Sequence, residues 1–384
     1  MQADVKRFIR MAISLAEGAR GETFPNPLVG AVVVRNGRVV GRGFHKKAGG
    51  PHAEIYALKE AGRQARGASL YCTFEPCSHY GRTGPCVDEI ILAGIKKVYC
   101  GIIDPDPITS GRGVRALREA GIKTSVGFFE DEIRRLNEPF IKAVTKGMPF
   151  VTVKIAESLD GKTATHKGES QWITSESSRQ YAHLIRRFYD CIMVGINTVL
   201  KDDPRLEPSE RFKGHKLIKI VVDSRLRIPL QARLLNTCQP VIVACVKNDI
   251  LKEKKLRQRG VLVIHTKSKK GRVDIRELLE KLERLEIRNV LVEGGSALIG
   301  SFLDGHLADK ALFFIAPSII GGTNSMPAVG GEGVKKLSSA IRLKNLIIKR
   351  MGEDILVEGD IAYSVERSAI RKDFTLRSAL TAKR

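Results

Sequence analysis

No stretch of this chain is long and apolar enough to cross a bilayer. The most apolar run, ALFFIAPSII at 311–320, contains Pro317, and a helical span needs about 20 residues. The opening residues, MQADVKRFIR, lack the apolar core of a signal peptide. Cysteine is scarce and odd in number, seven residues, which argues against a disulfide framework and suits a reducing compartment. These absences predict a cytoplasmic protein with no membrane partner. No G-x-G-x-x-G opens a helix, so an ordinary dinucleotide fingerprint is missing. Acidic residues are also short: 42 Asp and Glu face 65 Lys and Arg, a net charge of +23. That balance suits anionic ligands, either small phosphorylated substrates or nucleic acid. The basic runs at 252–259 and 267–272 read mainly as solvated loops and helix faces.

The 384 residues, 43% of them hydrophobic, are enough for two domains with proper cores. Val5, Phe8, Ile9, Ala12, Leu15 and Ala16 recur at helical spacing. Leu28–Val34 and Arg38–Gly43 read as strands joined by Asn36-Gly37, a hairpin signal. Strands and helices then alternate, which predicts an α/β sheet with some parallel order. One helix is expected over Glu130–Lys146, broken by Gly147, Met148 and Pro149, so the domain boundary falls near 147. Strands are expected near 191–195, 217–223, 240–245, 261–265 and 289–293. Asp274 and Glu277 resemble a capping box for a helix over Ile275–Leu285. Leu346–Met351 and Asp354–Glu358 form a terminal hairpin. The division is 1–147, 148–362 and a basic tail over 363–384.

The most specific signal is Pro51-His52-Ala53-Glu54, followed by Glu75-Pro76-Cys77 and Pro85-Cys86. Two thiolates and an imidazole make a three-ligand zinc set with a fourth position open to water, as in catalytic zinc sites. Glu54, two residues after His52 at a helix start, can shuttle protons without being a ligand. The zinc nucleobase deaminases carry His-x-Glu and Pro-Cys-x-x-Cys. Here eight residues separate Cys77 from Cys86. Cys72 and Cys100 lie in apolar strands and read as small core residues.

Pro25-Asn26-Pro27-Leu28-Val29-Gly30, His52-Ala53-Glu54 and EPCSHYGRTGPC (75–86) resemble the deaminase half of the bifunctional riboflavin-biosynthesis deaminase/reductases. The resemblance implies a cytidine-deaminase-like domain in which His52, Cys77 and Cys86 hold zinc and Glu54 transfers protons. It also implies that Asn26, His45, His79, Arg82 and Asp104 line the substrate site. The family run ends in Thr-Pro-Pro-Cys, where this chain has Thr83-Gly84-Pro85-Cys86.

In the second half, VLVEGGSALIGSFL (290–303) reads as a buried strand, a double glycine and a helix. Its free N–H groups could bind phosphate, or it could be a plain turn. Lys154–Lys162, Gly168–Thr174, Gly195–Leu200 and Asp202–Leu206 are similar to the reductase half of the same family, which has a dihydrofolate-reductase-like fold and uses NADPH. By position, the resemblance implies that Ala156, Trp172, Thr198, Asp202, Ser224 and the Gly295, Ser296, Ala297, Leu298, Ile299, Gly300 and Ser301 turn touch the dinucleotide. Ser170, Arg186, Leu206 and Glu293 would touch the pyrimidine substrate or its phosphate. The family commonly has an arginine where this chain has Ser209, and Arg211 could replace it through a shifted loop. Trp172 could instead be a core aromatic. Lys154 could act directly on the reacting centre, snorkel, or pair with an acid. The implied activity is zinc-dependent deamination of 2,5-diamino-6-ribosylamino-4(3H)-pyrimidinone 5′-phosphate, then NADPH reduction of its ribosyl group to ribityl. The competing reading is a nucleic-acid base deaminase with an appended binding domain. Self-association into a homo-oligomer stays open.

Overall fold

The computed structural model describes residues 2–80, 84–208 and 216–363. Arg82, Ser209, Arg211 and the tail beyond 363 lie outside the described residues. The chain forms two compact units, residues 1–150 with 282–288, and 151–281 with 289–384.

The first unit runs α1 (Gln2–Glu17), β1 (Gly30–Arg35), β2 (Arg38–Phe44), α2 (Ala53–Ala61), β3 (Ser69–Phe74), α3 (Cys86–Leu92), β4 (Lys97–Ile102), α4 (Arg112–Glu119), β5 (Lys123–Val126), α5 (Glu130–Leu136) and α6 (Glu138–Lys146). Its five-stranded sheet has the order β2-β1-β3-β4-β5. β1 pairs antiparallel with β2 and β3, while β3, β4 and β5 are parallel. The apolar stripe of α1 packs Phe8, Ile9 and Ala12 against Val32, Val34, Tyr71 and Ile102. Each large side chain buried there contributes about 1.5–3 kcal/mol. On the opposite face, α2 and α3 pack Ala57, Leu58 and Ile90 against Ala31, Val33, Leu70, Cys72 and Cys100. The two cysteines are buried as expected. Gly43 lets α2 approach: a Cβ there would meet Ala53 O at 2.1 Å.

The single helix expected over 130–146 is two helices that meet at Asn137. That side chain is buried and serves as a strand substitute. Its Oδ1 accepts from Leu28 N–H at 2.7 Å, and its Nδ2 donates to Leu28 O and Ile133 O, both at 3.2 Å. Pro139 in the first turn of α6 fits the restart.

The second unit contains β6 (Phe150–Ser158), β7 (Lys162–Ala164), α7 (Glu176–Ile185), β8 (Cys191–Gly195), α8 (Ile196–Asp202), β9 (Ile218–Val222), β10 (Val241–Cys245), α9 (Ile250–Gln258) and β11 (Leu262–His265). It continues with β12 (Ser268–Lys269), β13 (Arg272–Val273), α10 (Ile275–Glu283), β14 (Asn289–Val292), α11 (Ser296–Asp304), β15 (Lys310–Ala316), β16 (Met326–Pro327), β17 (Arg342–Met351) and β18 (Asp354–Ala362). The nine-stranded sheet has the order β11-β10-β9-β8-β14-β6-β15-β18-β17. β8, β9, β10, β11 and β14 are parallel, and the terminal β17–β18 hairpin closes one edge antiparallel. Asp274 caps α10 by accepting from Arg276 and Glu277 N–H, but the reciprocal half of a capping box is absent. Glu277 instead accepts from Lys267 N–H at 2.7 Å and pairs with Lys281 at 2.9 Å.

Candidate active sites of the two units

In the first unit, the ends of three elements deliver the metal set. His52 precedes α2, Cys77 follows β3, and Cys86 opens α3. Their ligand atoms all lie within 4.8 Å of one another. His52 Nδ1 is 3.2 Å from Cys86 Sγ and 3.4 Å from Cys77 Sγ, and Cys86 N–H points at Cys77 Sγ at 3.4 Å. Hydrogen bonds from Cys86 and His52 bring the Cys77 thiol down to about 4. Cys86 is held as a thiol by its bond to Cys77 and by burial. Glu54 sits in the first turn of α2, 3% exposed, and burial pushes its carboxyl up to about 7. Its Oε2 is buried without a hydrogen-bond partner. Two sulfurs and one imidazole nitrogen converging beside that oxygen fit a zinc ion well.

A cavity of about 280 Å³ opens on His52, Glu54 and Cys77 and is lined also by Asn26, His45, His79, Asp104 and Thr109. Every expected substrate residue of this half that is described is therefore brought to one cavity. His45 Nδ1 faces Pro51 O at 3.1 Å, an acceptor only, so this nitrogen carries the proton. Nε2 then accepts from Asn26 Nδ2 at 3.0 Å, which fixes the orientation of the Asn26 amide. Burial holds His45 below the ordinary histidine value, in keeping with a neutral ring. Burial also raises Asp104 to about 7. Sequence reasoning missed Thr109, which is 2% exposed with Oγ1 3.3 Å from His79 Nδ1, and Asn137, which anchors Leu28 two residues from Asn26. No local motif marks either one.

In the second unit, two strand-to-helix turns lie side by side at the carboxyl ends of neighbouring parallel strands, β8 into α8 and β14 into α11. Ligands of parallel sheets bind at such ends. Gly294 and Gly295 have φ of 138° and 67°, a region that favours glycine. A Cβ on Gly294 would meet Thr198 Oγ1 at 3.2 Å, so the turn and Thr198 face each other. Gly295 and Ala297 are exposed at this turn, whereas Leu298, Ile299 and Gly300 are buried in the helix. A Cβ at Gly300 would meet Gly330 O at 2.2 Å. Ser301 Oγ donates to Ala297 O at 2.8 Å within the helix.

Arg186 and Glu293 form a bidentate pair, with Nε and Nη2 each 2.9 Å from a carboxylate oxygen and side-chain exposures of 10% and 9%. Arg186 Nη1 donates to Glu207 O at 2.8 Å. Burial alone would raise the Glu293 carboxyl, but Arg186 and Lys154 hold it down to about 2. Lys154 lies 5.3 Å from the centre of the Phe314 ring, and burial lowers its ammonium while Glu293 opposes. It is thus a half-buried lysine within the field of an acid. Trp172 is 70% exposed, with the Arg179 guanidinium 4.6 Å from its ring, so it is not a core aromatic. Lys201 Nζ donates to Gly168 O, and at 3.1 Å to Ser170 Oγ, which ties Ser170 to α8. Ala156 is half-buried on β6, burial raises the Asp202 carboxyl, and Leu206 is buried. Ser224 Oγ accepts from Val273 N–H at 3.0 Å.

The chain matches the RibD C-terminal domain over residues 149–357 and the cytidine and deoxycytidylate deaminase zinc-binding region over residues 2–102. It is 43% identical to a riboflavin biosynthesis protein RibD of Aquifex aeolicus over 92% of this chain and 97% of the relative. To the protein of that name from Escherichia coli it is 37% identical over 91% and 97%. Among solved structures, Acinetobacter baumannii RibD superposes with a TM-score of 0.84, at 34% identity over 94% of this chain and 99% of that one. A Thermotoga maritima diaminohydroxyphosphoribosylaminopyrimidine deaminase/5-amino-6-(5-phosphoribosylamino)uracil reductase gives 0.80, at 35% identity over 94% and 99%.

Proposed function

The chain belongs to the RibD family of bifunctional riboflavin-biosynthesis deaminase/reductases, and from that premise we propose how its residues divide the work. It is an enzyme with a zinc-binding deaminase domain, cytidine-deaminase-like, and a dihydrofolate-reductase-like domain that uses NADPH. The match of the second half to the RibD C-terminal domain favours reduction there over an appended nucleic-acid-binding domain. We assign deamination to residues 1–147 and reduction to residues 148–362.

The substrate is 2,5-diamino-6-ribosylamino-4(3H)-pyrimidinone 5′-phosphate. His52, Cys77 and Cys86 would hold the zinc, whose chemistry there is to polarise and acidify water for hydrolysis. Glu54 takes the proton from the incoming water and delivers it to the amino nitrogen that leaves as ammonia. A carboxyl raised to about 7 suits both duties near neutrality. Asn26, His45 and Asp104 orient the ring and ribose, and His79 and Arg82 meet the phosphate. In the second half, NADPH supplies the hydride that turns the ribosyl group into ribityl. Lys154 gives the accompanying proton, with Glu293 and Arg186 holding its surroundings. Ser170 and Leu206 bound the substrate. Ala156, Trp172, Thr198, Asp202, Ser224 and the 295–301 turn hold the dinucleotide.

The carrying observation is the convergence of His52, Cys77 and Cys86 beside the unpartnered Glu54 oxygen. The test follows ammonia release and NADPH consumption separately, with the diaminopyrimidine ribotide as substrate. Ammonia should appear without NADPH, and NADPH should be consumed only after deamination. NADPH consumption without prior ammonia release would refute the order. No described helix is long and apolar enough to cross a membrane, and all seven cysteines are free, which supports a cytoplasmic setting. The exposed Leu346, Ile347 and Ile348 on β17 support self-association, which sedimentation would detect.

A further inference from the structure

Glu75 lies between β3 and Cys77 and has no part in the chemistry assigned above. It is nonetheless only 3% exposed. A buried carboxylate is costly unless its oxygens are satisfied. Oε1 accepts from Val114 N–H at 2.9 Å, and Oε2 accepts from Gly111 N–H at 2.8 Å and Asp104 N–H at 3.2 Å. All three partners are backbone groups of residues 104–114, so this carboxylate holds the course of a loop and the start of α4. Bonds to a charged acceptor are the strong kind, and an acid at a helix start gains from the helix dipole.

A second observation concerns the same contact. A Cβ on Gly113 would meet Pro76 O at 1.9 Å. The start of α4 therefore rests directly on the residue between Glu75 and Cys77. The loop so anchored carries Asp104, whose Oδ1 accepts from Asp106 N–H at 2.9 Å, and Thr109, whose hydroxyl lies 3.3 Å from His79. Both residues line the cavity above the metal set.

We infer that Glu75 is a positioning residue for deamination: it fixes the 104–111 loop to the strand end that carries Cys77, so that Asp104 and His79 face the substrate in one arrangement. This rests on the deaminase reading above. Glu75→Gln is the discriminating variant. An amide offers one acceptor oxygen, and its NH₂ would face at least one of the three N–H donors. In the full-length zinc-loaded enzyme, KM for the diaminopyrimidine ribotide should rise ~10-fold or more, with kcat per zinc changed less than about threefold. Zinc should stay at one per chain, and hydrogen exchange at the Asp104 and Gly111 amides should quicken. A purely structural role would lower the active fraction, and so kcat, without moving KM. Should Glu75→Gln fail to fold, Glu75→Asp carries the test. It keeps the charge but is one methylene too short to reach all three N–H groups, and it should raise KM in the same way. A wild-type enzyme that releases no ammonia would sink the deaminase reading itself. A wild type that does, beside a folded variant with KM within about twofold and unchanged loop exchange, would overturn the role of Glu75 alone.

Discussion

Replacing Arg186 by methionine tests the electrostatics of the second unit. The methionine keeps much of the arginine stem but removes both bonds to Glu293 and the one to Glu207 O. It leaves a carboxylate with 9% exposure that keeps only the more distant fields of Lys154 and His183 among the groups that hold it down. Stripping one partner from a buried pair costs about 3–5 kcal/mol. A second route gives a similar size. The Glu293 carboxyl is displaced from 4.5 to about 2 in the folded protein, which corresponds to about 3 kcal/mol. Because the folded value is depressed, this stabilisation is present above the unfolded value and is lost as pH falls through the folded one, between 4.5 and about 2. In the variant the unpaired carboxyl moves upward and is relieved by taking a proton. The gap between wild type and Arg186→Met should therefore be widest near neutral pH and should narrow as pH falls. Calorimetric or urea unfolding of the full chain at two pH values measures it. A loss below about 1 kcal/mol at neutral pH, or one that does not change with pH, would refute the reasoning.

Three further outcomes are expected. Cys77→Ser with Cys86→Ser should purify nearly free of zinc by metal analysis while still consuming NADPH on pre-deaminated substrate. Glu54→Gln should cut ammonia release by ~100-fold or more, with zinc retained and the reduction step intact. Gly295→Val, placed at φ of 67°, should both lower the melting temperature and raise KM for NADPH. Gly300→Ala, whose new methyl would meet Gly330 O, should lower the melting temperature.

The metal set was legible because its chemistry is concentrated in two short motifs, and the pocket residues followed by resemblance. What escaped reading depends on contacts between distant parts of the chain. The helix-like pattern breaks at Asn137, whose amide serves Leu28, 109 residues away, just before Pro139. The Arg186–Glu293 pair spans 107 residues, so neither residue advertises that its main partner is the other. Trp172 could not be placed from sequence because apolar bulk alone does not distinguish a core position from an open ligand face. The capping-box pattern at Asp274 was half right. Local spacing brings the two side chains near, but Lys267 competed for Glu277.

The strand order of the large sheet bears on how the protein is made. β6 is the first strand of its sheet in the chain, yet its neighbours there are β14 and β15, residues 289–292 and 310–316. On the ribosome, the five strands of the first sheet are complete once residue 126 has emerged. β6, complete at residue 158, must wait until residues 289–292 have emerged before either of its edges is covered. Open strand edges invite pairing with other chains, and domains fold as units during synthesis. A polypeptide terminated anywhere between β6 and β14 thus carries the whole first sheet together with a strand that nothing can pair. Such products should be clients of chaperones and proteases rather than half-active reductases.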